Sequence, residues 1–296
     1  MGYLYLAGAL LAGVSKGYCG KRASGLIRGY QDSILLNLIR MAFCIVISLG
    51  VLIAEGFDKL FLSPNTVPIL LLGGVANGLF LINWLLAVRS SAYLLVDTAL
   101  TFSIILPIAG AVFFLKEPIK PGQLWGLLIL FCAMLLMYRY NKTVKGVPDK
   151  RTLAALIICA LGSGFADFSQ KLYAVRVPDG GASAYQFFIY LITLLMLLAY
   201  LLVLKQKAAD RTSAQPLLKN GLHLIFLMAL FHFCHSFLKL RAAALIPAAE
   251  LYPLLQGGSL LLSTLMARLL FKEPLKATTL LSLLLTFFGF MIIKNC

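Results

Sequence analysis

The segments "FFLKEPIK" at residues 113–120 and "LLFKEPLK" at residues 269–276 repeat one pattern, and each closes a long apolar run. Proline is tolerated in the first turn of a helix, where its missing N–H would have no partner. A glutamate favours the start of a helix and a lysine favours the end of one. The pattern therefore predicts a tight turn between two helices, with a gating ion pair at a cavity mouth as the alternative. The turn residues are Lys116, Glu117, Pro118, Lys272, Glu273 and Pro274.

The composition predicts an all-α integral membrane protein. Of the 296 residues, 61% are hydrophobic and 12% are charged, and the mean hydropathy is +0.93. Soluble domains are about half apolar and a quarter charged, and one membrane span needs about 20 apolar residues. The runs are continuously apolar, which is not the alternation of a membrane β-barrel. We predict ten transmembrane helices, near residues 3–21, 33–54, 67–88, 91–115, 121–138, 152–173, 184–204, 220–239, 243–270 and 276–293.

The two halves of the chain share a layout. "VRSSAYLLVDTAL" at 88–100 and "LRAAALIPAAELY" at 240–252 each contain an arginine, two small residues and an apolar run with a carboxylate. Each half has five spans, so two copies of one fold must have opposite orientations in the membrane, as in many secondary transporters. We therefore predict two inverted five-helix repeats, at residues 1–140 and 152–296, joined by a charged linker at 141–151.

This layout resembles the EamA-type group of the drug/metabolite transporter superfamily. The resemblance rests on Arg89 with the "LKEP" of residues 115–118, and on Arg241 with the "FKEP" of residues 271–274. Arg40 matches a basic residue that is usual in the second helix of that group. One departure is that Ile104 and Leu260 stand where the family often has proline. The resemblance implies alternating access around a central cavity lined by the first, third, fourth, sixth, eighth and ninth helices.

Several charged side chains fall inside the predicted spans. A charge at the middle of a bilayer costs about 2.5–3.5 kcal/mol on insertion scales, so it seldom faces lipid. We predict that Lys16, Asp97, Asp167 and Glu250 line a cavity or form buried ion pairs, with Lys16 and Asp167 as the natural pair. Three further basic residues lie near helix ends, where long side chains can reach the membrane surface: Arg40, Lys171 and Lys239.

Uncharged polar residues extend this candidate site. His232 and His235 share one helical stripe with Ser236 and Lys239, which suits interhelical hydrogen bonds or a proton relay. Two histidines and one cysteine make a poor metal site, and we predict neither metal nor cofactor. The predicted substrate-binding or coupling residues are Lys16, Asn77, Trp84, Asp97, Asp167, His232, His235, Glu250, Tyr252 and Gln256.

The net charge of +15 does not indicate a nucleic-acid partner, because the basic residues lie mostly in short loops. Their excess in alternate loops places both termini outside the cytoplasm. We predict a monomeric or homodimeric secondary transporter in the bacterial inner membrane. It would carry a metabolite or drug-like solute such as an amino acid or amine, with protons or an exchanged solute as candidate coupling partners.

Two other functions remain open at this point. One is an intramembrane enzyme that uses Asp167 or the pair His232 and His235 as acid–base groups, and the other is a membrane scaffold or sensor. The internal repeat favours transport, because a carrier needs two equivalent gates. We expect Asp167→Asn and Glu250→Gln to alter transport without preventing folding.

Overall fold

The structure, a computed structural model, describes residues 1–60, 63–90, 96, 99–144, 149–178, 180–207, 215–270 and 277–295. Ten α-helices account for most of these residues, and each overlaps one predicted apolar run. They are α1 Gly2–Ala23, α2 Tyr30–Glu55, α3 Val67–Ser90, α4 Ile105–Leu115, α5 Pro121–Val144, α6 Lys150–Arg176, α7 Ala182–Lys207, α8 Gln215–Ala243, α9 Ala248–Leu270 and α10 Ala277–Asn295. Helix α5 therefore enters the predicted linker, and α6 begins inside it.

Five helices in the described part are long and apolar enough to cross a membrane. They are α2, α3 with the turn before it, α6, and the greater parts of α7 and α8. The mean hydropathy of the most apolar stretch in each is between 1.6 and 2.3. The exterior of the bundle is apolar, as at Leu11 and Phe113, whereas Arg40 and Asn37 have no exposed surface. This distribution is the reverse of that in a soluble domain. The chain is a helical protein of the membrane type.

The helix ends follow local rules. Asp149 caps α6 by accepting a hydrogen bond from the Thr152 amide at 2.9 Å, and hydrogen bonding by Thr152 holds the pKa of Asp149 below its ordinary value. Gln123 caps α5 in the reciprocal way, because its side chain accepts from the Lys120 amide at 3.1 Å. Pro121, the first residue of α5, has the fixed φ that suits this position.

The first Lys-Glu-Pro segment forms the predicted turn, with one correction. Lys116 ends α4 in the left-handed conformation, with φ 58°, and the Glu117 amide donates to the Ala111 carbonyl at 3.2 Å. Pro118 follows this cap, where proline is common because it cannot continue a helix. Pro118 does not lie in the first turn of the next helix as the motif suggested, since α5 starts at Pro121, the start predicted from the apolar run at 121–138. The second segment, Lys272, Glu273 and Pro274, lies outside the described residues.

The helices pack mainly across the middle of the sequence. The most extensive contacts are α3 with α6, α1 with α8, α5 with α10 and α2 with α7, followed by α3 with α7, α4 with α6, α2 with α8 and α1 with α9. Exchanging α1–α5 for α6–α10 in order converts each of these pairs into itself or into another of them. We call α3, α4 and α6 the first triad and α1, α8 and α9 the second triad; contacts within each are more extensive than those between them.

Glycine permits two of these close approaches. A Cβ at Gly162 of α6 would lie 2.8 Å from the Ala76 carbonyl oxygen of α3. Gly126 of α5 and Gly289 of α10 face each other, and a Cβ on Gly126 would lie 2.8 Å from the Gly289 carbonyl oxygen. Both helix pairs therefore pack backbone against backbone, as small residues allow in membrane bundles.

The described contacts also define two ends of the bundle. At the first end, α2, α4, α6 and α8 finish while α1, α7 and α9 begin, as shown by the hydrogen bond between the Tyr3 hydroxyl and Glu250 at 2.6 Å. At the second end, α1 and α3 finish while α2 begins, and Lys21 donates to the Val88 carbonyl at 3.1 Å.

Candidate functional site

A polar cavity lies in the middle of the bundle, between α1, α3, α6, α7, α8 and α9. Its volume is about 100 Å³, measured as the space that the centre of a water molecule can occupy. Seven of the residues predicted from the sequence line it: Lys16, Asn77, Trp84, Asp167, His232, His235 and Gln256.

The charged feature of the cavity is an ion pair between Asp167 of α6 and Lys239 of α8. Asp167 is 2% exposed and Lys239 is 9% exposed, so solvent screens the pair little. The prediction that Lys16 pairs with Asp167 was wrong, as was the prediction that Lys239 reaches the membrane surface. Lys239 lies one turn before the end of α8 and its side chain turns inward because the carboxylate partner is on a neighbouring helix.

Helices α1 and α3 form one wall of the cavity. The Lys16 ammonium lies 5.7 Å from the centre of the Phe80 ring, within range of a cation–π contact. Asn77 donates to the Thr193 hydroxyl of α7 at 3.1 Å. Trp84 packs over Gly20, where any side chain on α1 would collide with the indole.

The two histidines on α8 differ in their surroundings. The His235 Nδ1 atom lies 2.7 Å from the Ala9 carbonyl oxygen, which can only accept, so Nδ1 carries the proton and Nε2 is the acceptor in the neutral ring. His232 is 3% exposed, and neither of its ring nitrogens has a hydrogen-bond partner within the described chain. In that same part of the chain, no three His, Cys, Asp or Glu side chains are grouped so that they could hold a metal ion.

Two predicted site residues lie elsewhere, and a third is not described. Glu250 is in the first turn of α9 at the first end of the bundle, where it accepts from Tyr3, and it is away from the cavity. Tyr252 has no exposed surface and supports the site from behind, because its hydroxyl donates to the Asp167 carbonyl at 2.7 Å. Asp97 lies outside the described residues.

Glu117, from the Lys-Glu-Pro turn, is the centre of a polar cluster at the first end. Its Oε1 lies 2.7 Å from the Lys171 ammonium, and its Oε2 accepts from the Ala248 amide at 2.8 Å. The ammonium also donates to the Ala243 and Ile246 carbonyls at 3.0 Å each. The prediction that Glu117 faces the start of α5 was wrong, because it caps α9 instead. The prediction that Lys171 reaches the membrane surface was wrong, because the residue is only 3% exposed.

A second polar cluster lies at the same end. The Arg241 guanidinium pairs with Glu55 at 2.7 Å, and the Ser183 hydroxyl donates to the same carboxylate. These residues join the end of α8, the end of α2 and the start of α7. Because 42% of the Arg241 side chain is exposed, solvent screens this ion pair more than the buried pairs, and its interaction energy is smaller.

The structure adds residues that the sequence analysis did not identify. Gln170, Tyr185, Gln186 and Tyr190 line the cavity, and the Gln170 amide donates at 2.7 Å to the carbonyl of Ser236 on the predicted stripe. Helix α7 was absent from the cavity-lining helices implied by the family resemblance. The available signal was the spacing of Gln186 and Tyr190, which are four residues apart and so share one helical face.

Arg40 is the other unexpected feature. Its side chain was predicted to reach the membrane surface, but it is fully buried, and its three guanidinium nitrogens have no partner in the described structure. It is on α2, which packs against α7 and α8, the helices that carry the cavity residues Tyr190 and His232. The site therefore has a permanent positive charge directly behind one wall.

Comparisons with known proteins identify the fold but not the family. No family model matches the chain, and no curated protein sequence matches it. Solved structures do match, and one of them, described only as "Crystal structure of protein", superposes with a TM-score of 0.71. The alignment covers 99% of this chain and 96% of that one at 11% sequence identity. At this identity the similarity shows a shared fold over nearly the whole length of both chains.

Proposed function

We propose that the protein is a secondary transporter that moves a small organic solute across a bacterial inner membrane by alternating access. In this proposal ten helices span the membrane as two inverted five-helix repeats of the EamA type, and the chain acts as a monomer or homodimer. The observation that carries the proposal is the position of the cavity. It lies near the middle of α1, α3, α6 and α9 and toward the first end along α7 and α8, is lined by buried polar side chains, and separates two triads that correspond under exchange of the two halves.

The moving bodies would be the triads rather than the two halves of the sequence. Contacts within each triad are extensive, and each triad includes helices from both halves. One buried ion pair joins the triads, namely Asp167 with Lys239 at the cavity. At the first end the triads are joined by hydrogen bonds, from Lys171 to the Ala243 and Ile246 carbonyls and from the Ala248 amide to Glu117. Opening the first end would require the ion pair and these hydrogen bonds to break, so the described conformation would be closed at that end.

The direct test is reconstitution of the purified protein into liposomes. Flux would be measured with a panel of radiolabelled amino acids, amines and organic acids, with and without an imposed pH gradient. We expect flux of at least one solute class that empty liposomes lack. Replacing both Asp167 and Lys239, as in D167N/K239M, should abolish that flux while leaving the protein folded. The variant lacks the ion pair between the triads that would break and form again in each transport cycle.

The same vesicles test the enzyme hypothesis. An intramembrane enzyme that uses Asp167 or the histidines His232 and His235 would convert a lipid-soluble substrate without net movement of a solute. Chemical turnover of vesicle contents or lipids, with no flux for any solute in the panel, would contradict the transport proposal.

A further inference from the structure

One wall of the cavity, formed by α7 and α8, has polar groups that lack partners. Gln186 Nε2, the Tyr190 hydroxyl and both ring nitrogens of His232 have no hydrogen bond within the described chain. The three residues are at most 3% exposed, so bulk water does not satisfy them. A buried polar group without a partner has lost its hydrogen bonds to water and so destabilises the fold. Three residues with such groups on one wall indicate that a bound ligand supplies the missing hydrogen bonds.

These three residues are close together and share one chemical property. Gln186 and Tyr190 are one turn apart on α7, and the Tyr190 ring centre lies 5.5 Å from that of His232. All three line the cavity. An amide NH₂, a phenol and an imidazole N–H are all hydrogen-bond donors, so the wall can receive a ligand with several acceptor atoms.

Arg40 is on α2, which packs against both helices of this wall, and it supplies the charge. It is 0% exposed, and Nε, Nη1 and Nη2 all lack partners, whereas buried Lys171 and Lys239 each contact a carboxylate. Because guanidinium groups stay protonated in proteins, this charge is not removed by neutralisation. A buried charge without a counter-ion costs several kcal/mol, and a bound anion would offset that cost.

We propose that the wall of Gln186, Tyr190 and His232, backed by Arg40, binds the carboxylate group of the transported solute. Two carboxylate oxygens offer about four lone pairs, which suits a wall of several donors. The inference rests on the proposed transport function, and it narrows the substrate class to small carboxylates, including zwitterions. It excludes amines and neutral solutes that lack this group.

The experiment is a binding measurement on purified full-length protein in detergent, using matched five-carbon probes. Valerate is compared with valeramide, and L-norvaline with L-norvalinamide, so that each pair differs in the carboxylate alone; pentylamine and butylphosphonate complete the set. We expect each acid to bind in the millimolar range or better, about tenfold or more tighter than its amide. Absence of acid binding in that range, an amide within about twofold of its acid, or tighter binding of pentylamine or butylphosphonate overturns the proposal.

Two variants connect the binding to the wall. Arg40→Met keeps the volume and removes the charge, and Tyr190→Phe removes one hydroxyl. Each should weaken acid binding by about tenfold and leave amide binding within about twofold. Tyr200→Phe, on the same helix but 42% exposed, is the matched control and should change neither. Equal loss for acid and amide would indicate a structural role and overturn the assignment. If Arg40→Met does not fold, Tyr190→Phe carries the test.

The binding and flux measurements distinguish failure of the carboxylate site from failure of the transport proposal. Acid binding without flux for any solute would retain the carboxylate site and reject the transporter. Flux of valeramide or pentylamine without flux of valerate would retain the transporter and reject the carboxylate site.

Discussion

The buried pair of Asp167 and Lys239 gives the sharpest prediction on stability. In Asp167→Asn the Lys239 ammonium stays in a site that is 9% exposed without its counter-ion. In Lys239→Met the carboxylate is left instead. The double variant D167N/K239M removes both charges. The sequence alone suggested that Asp167→Asn would fold normally, but the ion pair predicts a large loss of stability.

The magnitude can be bounded from the cost of neutralising the remaining charge. An unpaired lysine with an ordinary pKa near 10.4 can give up its proton at pH 7 at a cost of about 4.6 kcal/mol, and an aspartate can take one up for about 4.2 kcal/mol. These limits agree with the loss of stability, about 3–5 kcal/mol, that follows when one partner of a buried ion pair is removed. The double variant should lie within about 1 kcal/mol of the parent, since no buried charge remains.

The assay is unfolding in mixed detergent micelles, followed by tryptophan fluorescence and circular dichroism. The single variants should respond to pH in opposite directions. In Asp167→Asn the folded state favours neutral Lys239, so it binds fewer protons than the unfolded state and gains up to about 2.7 kcal/mol between pH 7 and 9. In Lys239→Met the folded state favours protonated Asp167 and gains a similar amount between pH 7 and 5. The double variant should show neither slope.

Two results would refute this reasoning. One is additivity, in which the double variant loses the sum of the two single losses within about 0.5 kcal/mol. The other is a single variant, Asp167→Asn or Lys239→Met, that unfolds at the parent's midpoint across the whole pH range.

Three further substitutions test the first end of the bundle. Glu117→Gln makes the hydrogen bond from the Ala248 amide, which joins the triads, a neutral and weaker one, so we expect a cysteine placed in the cavity to be labelled from the first end about tenfold faster; an unchanged rate contradicts that gate. Glu250→Gln alters only the contact with Tyr3, so flux should stay within about twofold, and a loss of flux would return Glu250 to the site. Lys116→Gly relieves a left-handed residue and should raise the unfolding free energy by about 1 kcal/mol in the micelle assay, whereas Lys116→Ala should not.

The helices and part of the cavity were predictable because the bilayer imposes a strong rule. Apolar length alone located all ten helices, and a polar residue deep inside such a run had few reasons to face lipid. Asn77, Asp167 and His232 were found in this way. Glu250 was misplaced because the run at 243–270 put it well inside a span, whereas α9 begins only at Ala248.

The partners of charged groups were not predictable from one sequence. Lys171 and Lys239 are near enough to helix ends to reach a membrane surface, and only the packing of α6 against α8 and α4 shows that they turn inward to carboxylates. Gln186 escaped notice for a similar reason. It is the fifth residue of α7, where a polar side chain ordinarily faces lipid headgroups, and its burial depends on helices that are distant in the sequence.

The packing across the middle of the sequence has a consequence for synthesis. Helix α1 packs mostly against α8, and α3 against α6, so the early helices enter the membrane long before their main partners exist. At about 5–20 residues per second, roughly 10–40 s separate the translation of Arg40 from that of His232. Until α7 and α8 have been made, the guanidinium must be solvated by the insertion machinery, a lipid phosphate or water. The two halves expressed from separate genes should therefore each be degraded alone and should be rescued when they are made together.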